Sequence, residues 1–355
     1  MKNKLEYASL KKIFNNLLYL RLFEKILSEE YHPADEMKCP VHFCIGQEGV
    51  PSILKFFLKK NDYVFSHHRS HGYFFAKSIP MQKLVSELYG KKFGANYGFA
   101  GSQDVSYPKK KFYAGAILGG SIGIAVGKAL DEKLKKSRNI VIAGFGESAC
   151  DVGMFWESIN YANLKKLPII FICENNNYSV LSPQKARQSG KKLFQKVSQF
   201  SNQNNTISVD GNDVIKMKKV FNNVINKVRN NHGPFFIEAK TYRISGHVGP
   251  ETDDAQDYRS KAEVNKWKKK CPIKKLEKYL LDNKIINNTY SKNLEHKFKL
   301  EIRKMIKFAQ KDKFISKINL ERANYDFTKF RNKKIKTLRP YNYKINISNK
   351  TIVGY

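Results

Sequence analysis

Between Asn139 and Tyr178 short apolar runs alternate with polar turns in a pattern that predicts a local fold. Asn139–Ala143 is apolar, rich in β-branched residues, and ends at Gly144-Phe145-Gly146, as a strand entering a tight turn does. Met154, Phe155, Ile159, Ala162 and Leu164 then recur largely at three- and four-residue spacing, which predicts one buried helix face. Pro168 opens a second apolar run, Ile169–Cys173, which stops at Glu174-Asn175-Asn176-Asn177. The intervening helix rules out a hairpin and predicts a parallel βαβ crossover. Ligands in such sheets bind beyond the carboxyl ends of the strands. Gly146-Glu147-Ser148 and Asn175-Asn176-Asn177 are therefore expected to meet.

The same alternation extends to both sides. Residues 5–31 predict an amphipathic helix with Leu10, Ile13, Leu17, Leu20 and Phe23 on one face. Val50–Leu58 and Pro80–Tyr89 predict further helices, and Tyr63-Val64-Phe65 a short strand. Glycines crowd Ala114–Leu130, which predicts a tightly packed, buried helix; the stretch between Ala95 and Lys111 reads as a loop. Ser179–Asn205 is polar and predicts a mobile surface segment. Ile207-Ser208-Val209 and Phe235–Lys240 predict strands around a helix over Val214–Val228, with Asp213 as its N-cap. The implied fold is α/β, a doubly wound, mostly parallel sheet with helices on both faces. Expected segments are N-terminal helices over 1–40, the α/β domain over 41–260, C-terminal helices over 261–327 and a basic extended tail over 328–355.

Composition adjusts this picture in three places. The 355 residues, 41% hydrophobic and 13% aromatic, suffice for a large core and exclude wholesale disorder. The net charge of +34 invites a nucleic-acid or membrane partner, but the lysines are spread along the chain without a nucleic-acid-binding motif, so solvated surface charge is the expectation. The five cysteines form no C-x-x-C pair, and the N-terminus lacks an apolar signal core, which together predict a reduced, cytoplasmic chain. Ala114–Leu130 is too short and glycine-rich, and carries Lys128, so no membrane span is expected.

Two stretches carry candidate chemistry. Ser66-His67-His68-Arg69-Ser70-His71-Gly72 packs three histidines and an arginine together, which suits an anion better than a metal because no acid or cysteine lies at useful spacing. The turn Gly144-x-Gly146-x-x-Ala149 admits two cofactors. It satisfies the dinucleotide fingerprint, with Glu174 as the acid on the next strand, yet a third of the chain precedes it and the asparagines stay unexplained. Alternatively, Glu147 and Asn176 with the Tyr178 carbonyl offer oxygen ligands to a hard cation that shares a diphosphate, which would rest on the helix start near Ser148.

Taken in order, these residues resemble the alpha subunit of the decarboxylating component of thiamine diphosphate-dependent 2-oxo acid dehydrogenases, the pyruvate, branched-chain and acetoin family. Gly146-Glu147-Ser148-Ala149 and Glu174-Asn175-Asn176-Asn177-Tyr178 match its G-D-G-A and E-N-N-x-Y motifs without a gap. Further matches are His42 with Gly46-Gln47-Glu48, Arg69-x-His71-Gly72, Gly101-Ser102, Val209-Asp210-Gly211, and Thr241-Tyr242-Arg243 with Gly246-His247, so the likeness spans about residues 10 to 310.

The resemblance implies that Glu147, Asn176 and the Tyr178 carbonyl hold Mg2+, and that Arg69, with His68 where many relatives have tyrosine, binds the diphosphate of thiamine diphosphate. Ser148 and Ala149 would lie beside it, main-chain groups at Ala116 and Leu118 would meet the aminopyrimidine, and His247, His42 and His71 would serve acid–base or oxyanion roles. It further implies a beta subunit in an α2β2 heterotetramer, a lipoyl-bearing acyltransferase, and a small 2-oxo acid or, in the acetoin branch, an acyloin as substrate. Two departures stand out: Glu147 replaces the family's metal aspartate, and Ser148 its second glycine.

Overall fold

A computed structural model describes residues 2–32, 35–190, 192–200, 205–253 and 258–316. The basic tail expected over 328–355 and the end of the C-terminal helical segment lie outside these residues.

The strands are β1 (Tyr63–Ser66), β2 (Phe112–Ala114), β3 (Val141–Gly146), β4 (Ile169–Asn175), β5 (Tyr178–Ser179), β6 (Ser182–Pro183), β7 (Thr206–Asp210) and β8 (Phe235–Lys240). The helices are α1 (Lys2–Glu30), α2 (Gly49–Phe57), α3 (His71–Ala76), α4 (Met81–Leu88), α5 (Gly120–Leu134), α6 (Gly153–Leu164), α7 (Gln184–Arg187), α8 (Leu193–Val197), α9 (Val214–Arg229), α10 (Lys261–Lys269), α11 (Pro272–Asp282) and α12 (Asn288–Lys311). Six strands form one wholly parallel sheet in the order β2-β1-β3-β4-β8-β7, and β5 and β6 pair as a separate small hairpin. The predicted βαβ unit is β3-α6-β4, in register from Val141 opposite Ile169 to Gly146 opposite Glu174.

Strand residues alternate between two cores, which is why the central strands are apolar throughout rather than every second residue. Ile142, Ile170, Ile172 and Ile237 point to the face covered by α1, α2, α9 and the C-terminal helices. Val141, Ala143, Phe171, Cys173 and Phe236 point to the face covered by α5, α6 and α8. Residues Met1–Phe314 form one compact unit, with α1 packed on α2, α11 and α12. The apolar stripe of α1 is buried as expected, and Asp213 caps α9 by accepting from the Lys216 amide at 3.0 Å.

Three expectations need correction, and one strand is added. Of the predicted α6 face, Phe155, Ile159 and Ala162 are buried, but Met154 and Leu164 are exposed. The glycine-rich helix begins only at Gly120 and is covered on one side: Ile122, Ala125 and Ala129 are buried, whereas Ile117 ahead of it and Ile124 on it are 78% and 64% exposed. A Cβ built on Gly127 meets nothing within 4 Å, so its glycine leaves open surface rather than a close helix contact. The polar segment after Ser179 is folded where it is described, with β5, β6, α7 and α8 in turn and with Leu193 and Val197 buried. Finally, Phe112–Ala114, beyond the expected loop, forms edge strand β2.

Candidate active site

The carboxyl ends of five parallel strands open on a single cavity of about 320 Å3. From β1 come His67, His68 and Arg69; from the segment after β2, Ala116 and Leu118; from β3, Glu147 and Ser148; from β4, Asn176 and Tyr178; from the segment after β8, Arg243 and His247. His42, Gln47 and Gln103 close the wall from loops. This is where a doubly wound sheet presents a ligand site, because each strand hands its chain to a loop at that end.

One half of the cavity is cationic. The side-chain nitrogens of His42, His68 and His247 lie within 4.8 Å of one another, and their rings meet edge-on with centroids 4.8 to 5.5 Å apart. Burial, reinforced by neighbouring positive groups, pushes the His42 imidazole down to about 2 and His247 to about 4, and holds His68 well below the ordinary histidine range. All three are neutral at pH 7. Such a trio has the ligand type a transition metal prefers, but Arg69 and Arg243 lie beside it, and their charge opposes a cation while favouring an anion.

Arg69 is buried and donates to the Phe43 carbonyl at 2.5 Å and the His247 carbonyl at 3.1 Å; burial and the nearby Arg243 push it down to about 9, which leaves it charged at pH 7. Arg243 donates from Nη2 to the Val180 carbonyl at 2.9 Å and to the Tyr258 hydroxyl at 2.7 Å, and its buried Nε has no partner among the described residues. Its Nη1 reaches His247 Nδ1 at 3.1 Å. A guanidinium only donates, so Nδ1 of His247 is the acceptor and the ring proton sits on Nε2.

The other half is acidic. Glu147 leaves β3 in a single 3-10 turn, Glu147–Asp151, and its carboxylate is 1% exposed. Burial raises its pKa, opposed by Arg187, whose Nη2 donates to Oε1 at 2.5 Å. Asn176 Oδ1 accepts the Tyr178 amide at 3.0 Å, which fixes that side-chain amide beside the β4 end. A Cβ on Gly146 meets nothing within 4 Å, so the space between these two oxygen donors is open. A buried carboxylate and an amide oxygen on adjacent strand ends are the donor types a hard divalent cation takes, and the residues present fit one. Gly144, by contrast, is glycine for packing: a Cβ there would sit 2.4 Å from the Tyr73 ring. With Ala149 buried in the α5/α6 core, the first and last members of the dinucleotide fingerprint do not face the cavity.

A family model described as the dehydrogenase E1 component matches residues 17–317. The chain belongs to the dehydrogenase E1 component family. Similar relatives are the pyruvate dehydrogenase E1 component subunit alpha of Porphyra purpurea, 31% identical over 84% of this chain and 87% of that protein, and its namesake in Rickettsia conorii, 30% identical over 84% and 90%. The chloroplastic alpha-3 subunit of Arabidopsis thaliana is 30% identical over 84% of this chain and 70% of its own length.

Within this E1 component, most of the expected site residues converge. Glu147, Ser148, Asn176, Tyr178, His68, Arg69, Ala116, Leu118, His42 and His247 all line the cavity. Two do not. Ala149 packs into the core. His71, expected as a catalytic group, is fully buried: Nδ1 bonds Glu24 Oε1 at 2.8 Å and Nε2 meets the Ser102 hydroxyl at 2.9 Å, so both ring nitrogens are engaged. Ser102 Oγ in turn accepts the His42 amide at 3.4 Å, so His71 braces a cavity loop.

The helix expected at Ser148 is also displaced, since the α-helical part starts at Gly153 after the 3-10 turn. Arg187, Asp151 and Gln188 were not anticipated as site residues. The sequence carries no local signal for them, since Arg187 stands 40 residues from Glu147.

Proposed function

We propose that this chain is the alpha subunit of a pyruvate-type, thiamine diphosphate-dependent 2-oxo acid dehydrogenase, with Mg2+ linking cofactor and protein. The observation that carries this is the split cavity. A buried cationic wall from β1 and β8 faces two oxygen donors from β3 and β4, the pair of environments a diphosphate and its divalent counter-ion require.

When bound, thiamine diphosphate supplies the nucleophilic carbon and the electron sink for decarboxylation of the 2-oxo acid. The protein's part is positional and electrostatic. Arg69 and Arg243 would attract the diphosphate, Glu147 and Asn176 with the Tyr178 carbonyl would take the metal, and the main chain at Ala116 and Leu118 would meet the aminopyrimidine. His247, neutral with its proton on Nε2, would donate to an oxygen developing charge, and His42, buried beside it, would exchange a proton with the bound group.

The site is half of an active site. Leu118 lines the cavity, and Ile117 and Ile124 continue it outward as exposed apolar surface, with Met154 and Leu164 exposed on the adjoining α6. An apolar face at a site mouth marks a protein partner. A beta subunit in an α2β2 assembly, supplying the remaining groups and passing the acyl product to a lipoyl-bearing acyltransferase, fits it. The five free cysteines suit a reducing, cytoplasmic setting.

The test is calorimetric. The chain co-purified with its beta-type partner is titrated with thiamine diphosphate and Mg2+, and pyruvate and acetoin are then compared as substrates. Metal-dependent cofactor binding and turnover of pyruvate are expected; absence of cofactor binding in the complex sinks the proposal.

A further inference from the structure

Glu147 is spoken for from behind. Arg187, on the short helix α7, does not line the cavity, yet its Nη2 lies 2.5 Å from Glu147 Oε1 while its Nη1 contacts Asp151. Side-chain exposure is 17% for Arg187, 1% for Glu147 and 26% for Asp151, so the inner contact is desolvated and the outer one is wetter. Gln188 ties the same segment down, donating to the Glu147 carbonyl at 3.1 Å and to Asp151 Oδ1 at 2.6 Å. Gln184 bonds Gln188 at 2.8 Å and receives Asn175 at 3.1 Å, which anchors α7 to the β4 end as well. The guanidinium is therefore built in between two carboxylates.

We propose that Arg187 is a resident counter-charge for Glu147 that sets, and lowers, the affinity of the site for a divalent cation, with Asp151 deciding how much of that charge Glu147 feels. The inference rests on the cofactor reading above and deepens it. A cation enters Glu147 from the cavity side and Arg187 holds the carboxylate from the opposite side, so the two positive groups share one negative charge at close range. Asp151 draws Arg187 outward and relieves that competition.

The extra methylene of Glu147, relative to the aspartate of the G-D-G-A motif, is what lets the carboxylate reach Arg187. The sequence departure and the unanticipated arginine are one feature. Arg187 is a positioning residue, since it acts through Glu147 and does not line the cavity.

The experiment measures Mn2+ binding by the electron paramagnetic resonance of free Mn2+, in the complex of the full chain with its beta-type partner saturated with thiamine diphosphate. Arg187→Met, which keeps length and removes charge, is expected to tighten Mn2+ about tenfold, the scale of removing one nearby like charge in a solvated site. Arg187→Lys should stay within about threefold of wild type because the charge remains. Asp151→Asn should weaken Mn2+ about tenfold by leaving Arg187 wholly to Glu147.

Opposite shifts from two neighbouring substitutions cannot both come from misfolding. In a Glu147→Asp background, where the carboxylate is out of reach, Arg187→Met should change little, so the pair is non-additive. Wild-type binding that Arg187→Met leaves unchanged or weakens overturns this inference alone. Failure of wild type and every variant to bind Mn2+ overturns the cofactor reading, and this inference with it.

Discussion

The two halves of the cavity solve opposite electrostatic problems in opposite ways. On the β1/β8 side, two buried guanidiniums stand with one buried and two half-buried imidazoles, and among the described residues no carboxylate lies within hydrogen-bond reach of either guanidinium: the Arg243–Asp253 separation is 3.9 Å, and Arg69 spends its bonds on carbonyls. On the β3/β4 side the buried acid is already neutralised by Arg187. The first half holds positive potential that Asp253 and Glu174 offset only at longer range, and it keeps the cost of that potential down by leaving the histidines neutral. The second half is self-compensated and must be partly undone by a ligand. An anion should therefore dominate binding energy, and the cation should be the tunable element.

The sharpest way to break this contrast is to remove Arg69. Arg69→Met takes away the central cation and strands two buried carbonyls, each having lost a charged hydrogen bond with a net worth of about 1.5–3 kcal/mol. Calorimetry should find thiamine diphosphate binding reduced by at least about a hundredfold, the equivalent of roughly 3 kcal/mol, and urea unfolding should shift to lower denaturant. Retained cofactor affinity would place the anion elsewhere.

Next in size is Glu147→Gln, which leaves the metal only neutral protein donors and leaves Arg187 to Asp151. Mg2+-dependent binding should weaken about ten- to a hundredfold with less effect on metal-free cofactor binding. Glu147→Asp should go the other way, holding or tightening metal affinity. If Glu147→Asp abolishes binding, the pocket is built around glutamate.

How much of this was legible in the sequence follows from how each signal is encoded. The β3-α6-β4 unit and the meeting of Glu147 with Asn176 were readable because apolar runs, turn residues and motif spacing all lie within one short stretch. Long-range partners leave no such trace. His71 sits in the same dense polar run as His68 and Arg69, but its partner Glu24 is 47 residues away, and only the fold shows that the pair is buried. Arg187 is 40 residues from Glu147, in a polar segment whose composition resembles a loop while its side chains form a bonded network. Periodicity misled at Met154, Leu164 and Gly127 for a different reason, while Gly123 does give α5 its close approach to Met154. An apolar pattern records burial against something, and a partner chain satisfies it as well as the chain's own core does.

Acidification separates the two halves by sign. His42 titrates at about 2 and His247 at about 4 in the folded chain, against about 6.5 when unfolded, and His68 is lowered likewise. Between those limits the unfolded chain holds protons that the folded chain lacks, so stability rises with pH up to about 6.5 and these groups add no slope above it. Each histidine contributes up to about 1.4 kcal/mol per pH unit in that window. Melting temperature should therefore fall from pH 6.5 to 5 in the ligand-free chain and fall less with pyrophosphate or thiamine diphosphate bound, because the anion permits the histidines to protonate. Equal slopes with and without the anion would mean that the histidines do not face it.

The smallest effect tests whether the third histidine belongs to this proton-linked wall at all. His68→Tyr supplies a phenol that donates one hydrogen bond without titrating near neutrality. Cofactor affinity at pH 7.5 should change by no more than about threefold, since one neutral donor replaces another worth about 1 kcal/mol. Proton uptake on cofactor binding, measured by calorimetry in buffers of different ionisation enthalpy, should drop at pH 6.5 because one of the three clustered bases is gone. Unchanged proton uptake would assign the linkage to His42 and His247 alone, whose rings meet each other directly with centroids 5.0 Å apart.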